Sequence, residues 1–547
     1  MNRQENLNQL KTEQFDLCII GGGASGAGAA LDATLRGLKV CLIEKEDFAA
    51  ETSSKSTKLI HGGVRYLEQA FKKLDFGQLK QVKHGLEERH IVLSVAPHLA
   101  KPLGLITPVF TWVEGLYYTI GLKIYGLFAK DDNMPKARWL SKAETLSRIS
   151  TLNPKLHSSV LYYDGQLDDA RFCLALAHTA DDAGACVMNH TSLTSFEKDE
   201  AGKLKAAVVF DHIGNEEIKV EAKVFLNCTG PFADHIRLMA NPEEELRMRP
   251  SKGVHIMIPK EFLPGKDAML IPKTKDGRVV FVIPFEGEVM VGTTDDAYNK
   301  LNEEPILEVA EVDFLLETLE RFFIKKPTKS DIKAGFGGLR PLLAPKTGGK
   351  KGTKSLLRDH EVEHDETSNL VSLLGGKWTT YRLMAQDAID EVVLLLKQDS
   401  KSRTAKYKLV GSREKGFDYR AYLRKAENFG LQEDSIEHLV SKYGDQSMKF
   451  LDLFLEDETL MNKIDPAYPY IFAEVVYTIR NEMAVSLRDF FARRIRFEIK
   501  DWNALLVAIP KVAEVFAKEF GWSQEHKTKM SDEYFNLITE FKKRAAV

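Results

Sequence analysis

Residues 15–44 read FDLCIIGGGASGAGAALDATLRGLKVCLIE: a short apolar run, a glycine turn, a helical pattern and a second apolar run ending in an acid. Strand, turn, helix and strand follow one another within about 30 residues, the opening unit of a dinucleotide-binding α/β sheet. Gly21, Gly23 and Gly26 fit GxGxxG, and each glycine has its own task. One makes the sharp turn from strand to helix, one lets the backbone approach a pyrophosphate, and one allows close packing of helix on strand. The pyrophosphate belongs at the helix N-terminus, where free N–H groups and the helix dipole favour negative charge. Glu44 closes the second run at the position where a carboxylate can hold both hydroxyls of an adenosine ribose. The pattern predicts a bound dinucleotide but does not separate FAD from NAD.

Working outward, two more strand-like runs end in glycine. AKVFLNCTG (222–230) ends in Thr229 and Gly230, and Gly375 and Gly376 close another run and open a helix at Lys377. Three such junctions can converge on one extended ligand, and FAD is long enough to use all of them. Three cations stand in glycine-rich settings suited to a small anion: Arg65 in HGGVRY, Arg340 in GFGGLRP and Lys377 in GGKWTTYR. Gly62 and Gly63 allow close approach to a flat ring. Arginine suits bidentate contact with phosphate or carboxylate, while lysine acts as a point charge. His255 lies in the apolar run SKGVHIMIP, where it reads either as a hydrogen-bonded core residue or as a base taking the hydroxyl proton of an alcohol. His61 is a second candidate base. Asp168 and Asp169 read as caps of the helix that follows them.

The remainder sets the class. A chain of 547 residues makes roughly three or four lobes at about 150 residues each. Hydrophobic residues at 44% and charged residues at 28% suit a folded globular protein. Lys plus Arg number 76 against 79 Asp plus Glu, so no basic footprint marks a nucleic-acid partner. The five cysteines (Cys18, Cys41, Cys173, Cys186, Cys228) form no CxxC pair and no metal spacing. They read as reduced, buried thiols of a cytoplasmic protein, with no metal expected. The first residues, MNRQENLNQLKTEQ, contain no apolar run of a secretory signal. Strand-like runs at 204–210, 217–228, 253–258, 279–284 and 288–293 predict a second, antiparallel sheet. A helical segment begins near Val64, and 343–355 reads as an exposed loop. From about 400 the patterns are helical, as at 470–482 and 502–520, with a basic patch at RRIRF (493–497). Segment 102–129 is the most apolar, but Glu114 and Lys123 cut it below the roughly 20 residues of a spanning helix. Its aromatic residues and Lys101, Lys123 and Lys130 suit a lipid interface, and a buried helix pair is the other reading.

Several segments together resemble a known family. They are IIGGG…HGGVRYLE (19–68), DDARF (168–172), KGVHI (252–256), VFVIPFEGEVMVGTTD (280–295), GLRPLL (338–343) and LLGGKWTTYR (373–382). They resemble the FAD-dependent glycerol-3-phosphate dehydrogenases of aerobic respiration, closely over 14–390 and more loosely beyond. The resemblance implies an α/β fold with a Rossmann-like FAD-binding domain, an antiparallel-sheet substrate domain and a helical C-terminal domain. Residues 1–400 would hold the interleaved first two, and 401–547 the helices. It implies oxidation of glycerol 3-phosphate to dihydroxyacetone phosphate, with electrons passed to a membrane quinone. FAD would be bound by Gly21, Gly23, Ser25, Gly26, Glu44, Ser53, Ser54, Ser56, Lys58, Leu59, His61, Gly62, Gly63, Thr229, Gly230, Gly376, Lys377 and Thr379. Arg65, Tyr66, His255, Arg340 and Lys377 would meet substrate, with His255, Arg65, Arg340 and Lys377 as the catalytic set and the identity of the base left open. The resemblance further implies a homodimer, peripheral on the inner face of the cell membrane. A glycerol-3-phosphate oxidase making peroxide is the rival reading, but it would carry an extra insertion in the substrate domain that this sequence lacks.

Overall fold

The computed structural model describes residues 1–63, 76–128, 134–344, 360–414 and 417–547. Arg65, Tyr66, the segment near Val64 and most of 343–355 lie outside them. Two sheets organise the described residues. In the first, the strand Phe15–Ile20 sits between Val40–Ile43 and Glu216–Asn227, and Leu370–Gly375 lies beyond Glu216–Asn227. All of these pair in parallel, with Leu17 opposite both Val40 and Val224 and Leu226 opposite Val371. Phe15–Ile20 is almost wholly buried because helices cover the sheet, as parallel sheets require. The helix Ala24–Leu35 packs against Asp169–Asp182 and Tyr381–Leu395. Its run of small residues permits this, since a Cβ at Gly28 would stand 3.1 Å from the Tyr381 ring.

The runs at 204–210 and 217–228 depart from the expectation that they belong to the second sheet, since both lie in the first. Glu216–Asn227 pairs antiparallel with Leu204–Asp211 through its first half and parallel with Phe15–Ile20 through its second. Burial alternates along the first half and is continuous over its last four residues. Alternation suits a half-solvated hairpin, while a continuous apolar end suits a sheet covered on both faces.

The second sheet orders Asp296–Ala297, Ser251–Ile258, Glu288–Gly292, Val280–Phe285, Ala268–Ile271, Ala100–Val109, Ser158–Leu167 and Leu59–Ile60. Ala334–Arg340 pairs with Ser251–Ile258. Its pairings are antiparallel except that of Ala268–Ile271 with Ala100–Val109. One apolar core joins this sheet to the C-terminal helices, including Val254 and Ile256 together with Trp502, Leu505 and Val512. The helices Phe472–Glu482, Trp502–Phe520 and Gln524–Ala545 belong to this C-terminal part.

Segment 102–129 is neither a spanning element nor a helix pair. It supplies most of the strand Ala100–Val109 and then the helix Trp112–Phe128. Pro102 and Pro108 suit the strand better than a helix interior. The RRIRF run is likewise no surface patch, because Arg493, Arg494 and Arg496 are all buried. All five cysteines are buried and unpaired.

Candidate functional site

Adjacency in a parallel sheet brings the three glycine junctions together. Phe15–Ile20, Glu216–Asn227 and Leu370–Gly375 are neighbours running in one direction, so their C-terminal ends open on the same edge, where α/β sheets bind ligands. A cleft of about 1870 Å³ lies there, lined by Gly21, Gly23, Ser25, Glu44, Ser53, Thr229, Gly230, Gly376 and Lys377. Gly21 turns at φ +107°, and a Cβ on it would stand 2.7 Å from the Cys228 carbonyl oxygen. A Cβ on Gly26 would fall on the Gly21 carbonyl, so Gly26 permits the helix to pack on the strand rather than lining the cleft.

The donor set fits a dinucleotide. Gly23 caps the helix Ala24–Leu35 without a side chain, and no acid stands in the first turn, which leaves the positive helix end to an anion. Ser53 Oγ accepts from the Ala24 N–H at 2.9 Å, and Ser53 O accepts from Trp378 Nε1 at 2.9 Å. The loop after Val40–Ile43 is thereby tied to the segment that carries Lys377. Glu44 accepts from the Gly22 N–H at 2.6 Å and the Glu46 N–H at 3.0 Å. Burial raises its carboxyl above the ordinary range and these two bonds oppose the rise. His61 and Thr379 meet through Thr379 Oγ1, 3.3 Å from both His61 N and His61 O. Gly62 N donates to Tyr125 Oη at 2.7 Å, and Gly63 adopts φ +88°.

A second group assembles on the Ser251–Ile258 strand. His255 faces Gly292 on one neighbouring strand and Phe336 on the other. A Cβ at Gly292 would collide with the Cδ2 edge of the imidazole, and the ring stacks on Phe336 with centroids 4.8 Å apart. Two residues along the same strand face, Gly253 leaves room for the Arg340 guanidinium and Thr293 Oγ1. Arg340 pairs with Asp295 at 3.2 Å and donates to Thr293 Oγ1 at 3.0 Å and Thr294 O at 2.8 Å. His255 is 2% exposed. Burial, and then the charges of Lys58 and Arg340, hold it well below the ordinary range of histidine. The same two influences favour the neutral imidazole, the form that carries a lone pair for a proton.

Of the residues the resemblance assigned to the cofactor, Ser54, Ser56, Lys58, Leu59, His61, Gly62, Gly63 and Thr379 are not among those lining the cleft. Lys58 is fully buried, its Nζ bonded to Asp169 Oδ2 at 2.8 Å, Ser54 O at 2.7 Å and Ser56 O at 3.1 Å. Its ammonium is pushed down to about 7 by burial, against the opposing pull of Asp169. Ser56 gives both its N–H and its hydroxyl to the same Asp169 oxygen, and Leu59 pairs with Gln166 in the second sheet. Asp168 caps its helix, as read from the sequence, by accepting from the Arg171 N–H. Asp169 does more: it is the hub of a buried charge cluster that also takes Arg496 at 3.0 Å. The Asp-Asp pair at the head of an apolar helix was the only sequence signal for it. Thr57, whose hydroxyl lies 3.0 Å from His255 Nε2, had none.

Comparison with known proteins agrees with this architecture. Residues 16–380 match the family model described as FAD dependent oxidoreductase, and residues 402–527 match the C-terminal domain of alpha-glycerophosphate oxidase. The mitochondrial glycerol-3-phosphate dehydrogenase of Arabidopsis thaliana is 38% identical over 97% of this chain and 87% of its own length. The human mitochondrial enzyme is 37% identical over 96% and 73%. The Bacillus halodurans glycerol-3-phosphate dehydrogenase, solved in complex with FAD, superposes with a TM-score of 0.81 at 29% identity, covering 99% of this chain and 97% of that one.

Proposed function

The chain belongs to the FAD-dependent glycerol-3-phosphate dehydrogenases, and on that premise we propose that it oxidises sn-glycerol 3-phosphate to dihydroxyacetone phosphate and delivers the electrons to a quinone at a membrane surface. FAD is the cofactor of this family, and when bound it accepts the hydride from C2 of the alcohol. The chain's own part is binding, orientation and movement of one proton. Gly21, Gly23, Ser25 and Glu44 would hold the adenosine and pyrophosphate, and Thr229, Gly230, Gly376 and Lys377 would hold the rest of the cofactor along the strand ends. His255 would take the hydroxyl proton. Arg340, with Lys377 and with Arg65 and Tyr66 outside the described residues, would bind the phosphate and fix the alcohol carbon.

The observation that carries this reading is the placing of the buried His255 ring and the Arg340 guanidinium on one strand face, both given room by glycines. An alcohol oxidation needs a base, and a phosphorylated substrate needs a fixed cation. The direct test is anaerobic titration of the flavoprotein with sn-glycerol 3-phosphate. Bleaching of the flavin absorbance is expected, and an unchanged spectrum would sink the reading. Arg340→Ala is expected to raise KM about 10- to 100-fold, the worth of a charge-assisted pair, with flavin content unchanged. A wild-type KM would remove Arg340 from the phosphate site.

The acceptor is the finer part of the proposal. No helix among the described residues is long and apolar enough to cross a membrane. The helix Trp112–Phe128 instead presents Trp112, Val113, Leu116, Tyr117 and Ile120 to solvent, each at least 46% exposed. An aromatic, apolar helix face of this kind suits the headgroup boundary of a bilayer. The protein is therefore expected to float with anionic liposomes, and Trp112→Ser combined with Leu116→Ser is expected to abolish flotation. Recovery of both forms in the soluble fraction would count against membrane delivery. Peroxide produced at the rate of substrate oxidation would favour the oxidase instead.

A further inference from the structure

The tripeptide Ser56-Thr57-Lys58 is tied down at both ends by one carboxylate oxygen. Asp169 Oδ2 accepts from Ser56 N at 3.0 Å, from Ser56 Oγ at 2.7 Å and from Lys58 Nζ at 2.8 Å. Arg496, from the C-terminal part, holds the other oxygen at 3.0 Å. Lys58 adopts φ +60°, an uncommon left-handed conformation for a side-chain-bearing residue, and its ammonium packs 4.5 Å from the Phe336 ring centroid. The middle residue is thus presented at a fixed place, and its hydroxyl lies 3.0 Å from His255 Nε2. The other ring nitrogen, Nδ1, is buried and has no hydrogen-bond partner. A buried polar atom without a partner costs stability, and one retained in a fold calls for an explanation such as a catalytic role.

We propose that Thr57 is a positioning residue for the oxidation. Its hydroxyl accepts the Nε2–H of His255, fixes the imidazole in that tautomer and leaves the Nδ1 lone pair to receive the substrate's hydroxyl proton. This rests on the assignment of His255 as the base. In the step the O–H bond breaks and its proton joins Nδ1 while the C2–H electron pair leaves with the hydride for the flavin, so the alcohol carbon is oxidised and the imidazole becomes imidazolium. The Nε2–H bond to Thr57 strengthens as that charge develops, because a charged donor makes the stronger bond. The charges facing the ring are Lys58 and Arg340. Each carries its own counter-ion, Asp169 and Asp295 respectively, so the hydroxyl is the group left to set the tautomer. Thr57 would have escaped any sequence reading, since nothing local distinguishes it from the other hydroxyls of TSSKST.

The test compares Thr57→Val, which keeps the shape and removes the hydroxyl, with Thr57→Ser, which keeps the hydroxyl. Rates are measured across pH in the holoenzyme and expressed per bound flavin, so loss of folded protein does not mimic the effect. Thr57→Val is expected to lower kcat about 10- to 100-fold, leave KM for glycerol 3-phosphate near wild type, and move the acid limb of kcat to lower pH, since the imidazolium loses its acceptor. Thr57→Ser is expected to restore both. A Thr57→Val enzyme with wild-type kcat and acid limb overturns the proposal, as does an acid limb moved to higher pH, which would mean that the hydroxyl donates to Nε2. If His255→Asn loses activity while Thr57→Val does not, the base assignment stands and the positioning role alone fails. If His255→Asn retains wild-type kcat, both fail.

Discussion

Replacing His255 with asparagine is expected to lower kcat about 10²- to 10⁴-fold, the usual range for loss of a positioned general base, with flavin content unchanged. The side chain stands on a strand buried along its whole length, between Gly292 and Phe336, so its place does not depend on a mobile loop. Burial comes first in lowering its proton affinity, followed by repulsion from Lys58 and Arg340. The sign follows: the neutral ring is the active form, its proton affinity in the fold lies below that of an ordinary histidine, and activity falls as pH drops through that lower value. The wild-type acid limb is therefore expected below about pH 6.5. Asparagine approximates the size of the ring and fills its space, but cannot take a proton near neutral pH. A variant within threefold of wild type across the pH range would assign the base elsewhere.

The second large effect is on stability. Asp47 is fully buried and takes Arg493 Nε at 2.7 Å, both terminal nitrogens of Arg494, and Asn189 Nδ2 at 3.1 Å. Asp489 balances the same cluster through Arg493 at 2.7 Å and His190 at 3.0 Å. Asp47→Ala would strand two buried guanidinium groups with one fewer counter-charge. Removing one partner of a buried ion pair typically costs about 3–5 kcal/mol. Asp47 stands three residues beyond Glu44, so the loss falls on the loop that leads from the end of the strand Val40–Ile43 to Ser53. Denaturant titration followed by flavin release is expected to show that loss as an earlier midpoint, and a midpoint equal to wild type would contradict the argument.

Much of the lining of the candidate cleft was legible because its signals are short-range. Gly21, Gly23 and Gly26 mark a turn that only a strand-to-helix junction requires, and Glu44 follows at a spacing set by one helix and one strand. The junctions at Gly230 and Gly376 could be found singly, but their convergence depended on strand order. The strand at 217–228 was placed in the wrong sheet because one continuous run serves two pairings. The burial of the basic run RRIRF was hidden for a related reason: Asp47, which neutralises Arg493, lies 446 residues earlier in the chain.

Residue order was enough to establish the α/β class, the dinucleotide turn and the helical character of the C-terminal part, since periodicity and turn chemistry act over a few residues. Which charges would be buried, which hydroxyl would meet His255 and which strand would carry both a parallel and an antiparallel pairing were settled by long-range packing. A carboxylate and its guanidinium partner attract through space once both are out of water, and no spacing along the chain records where that meeting takes place.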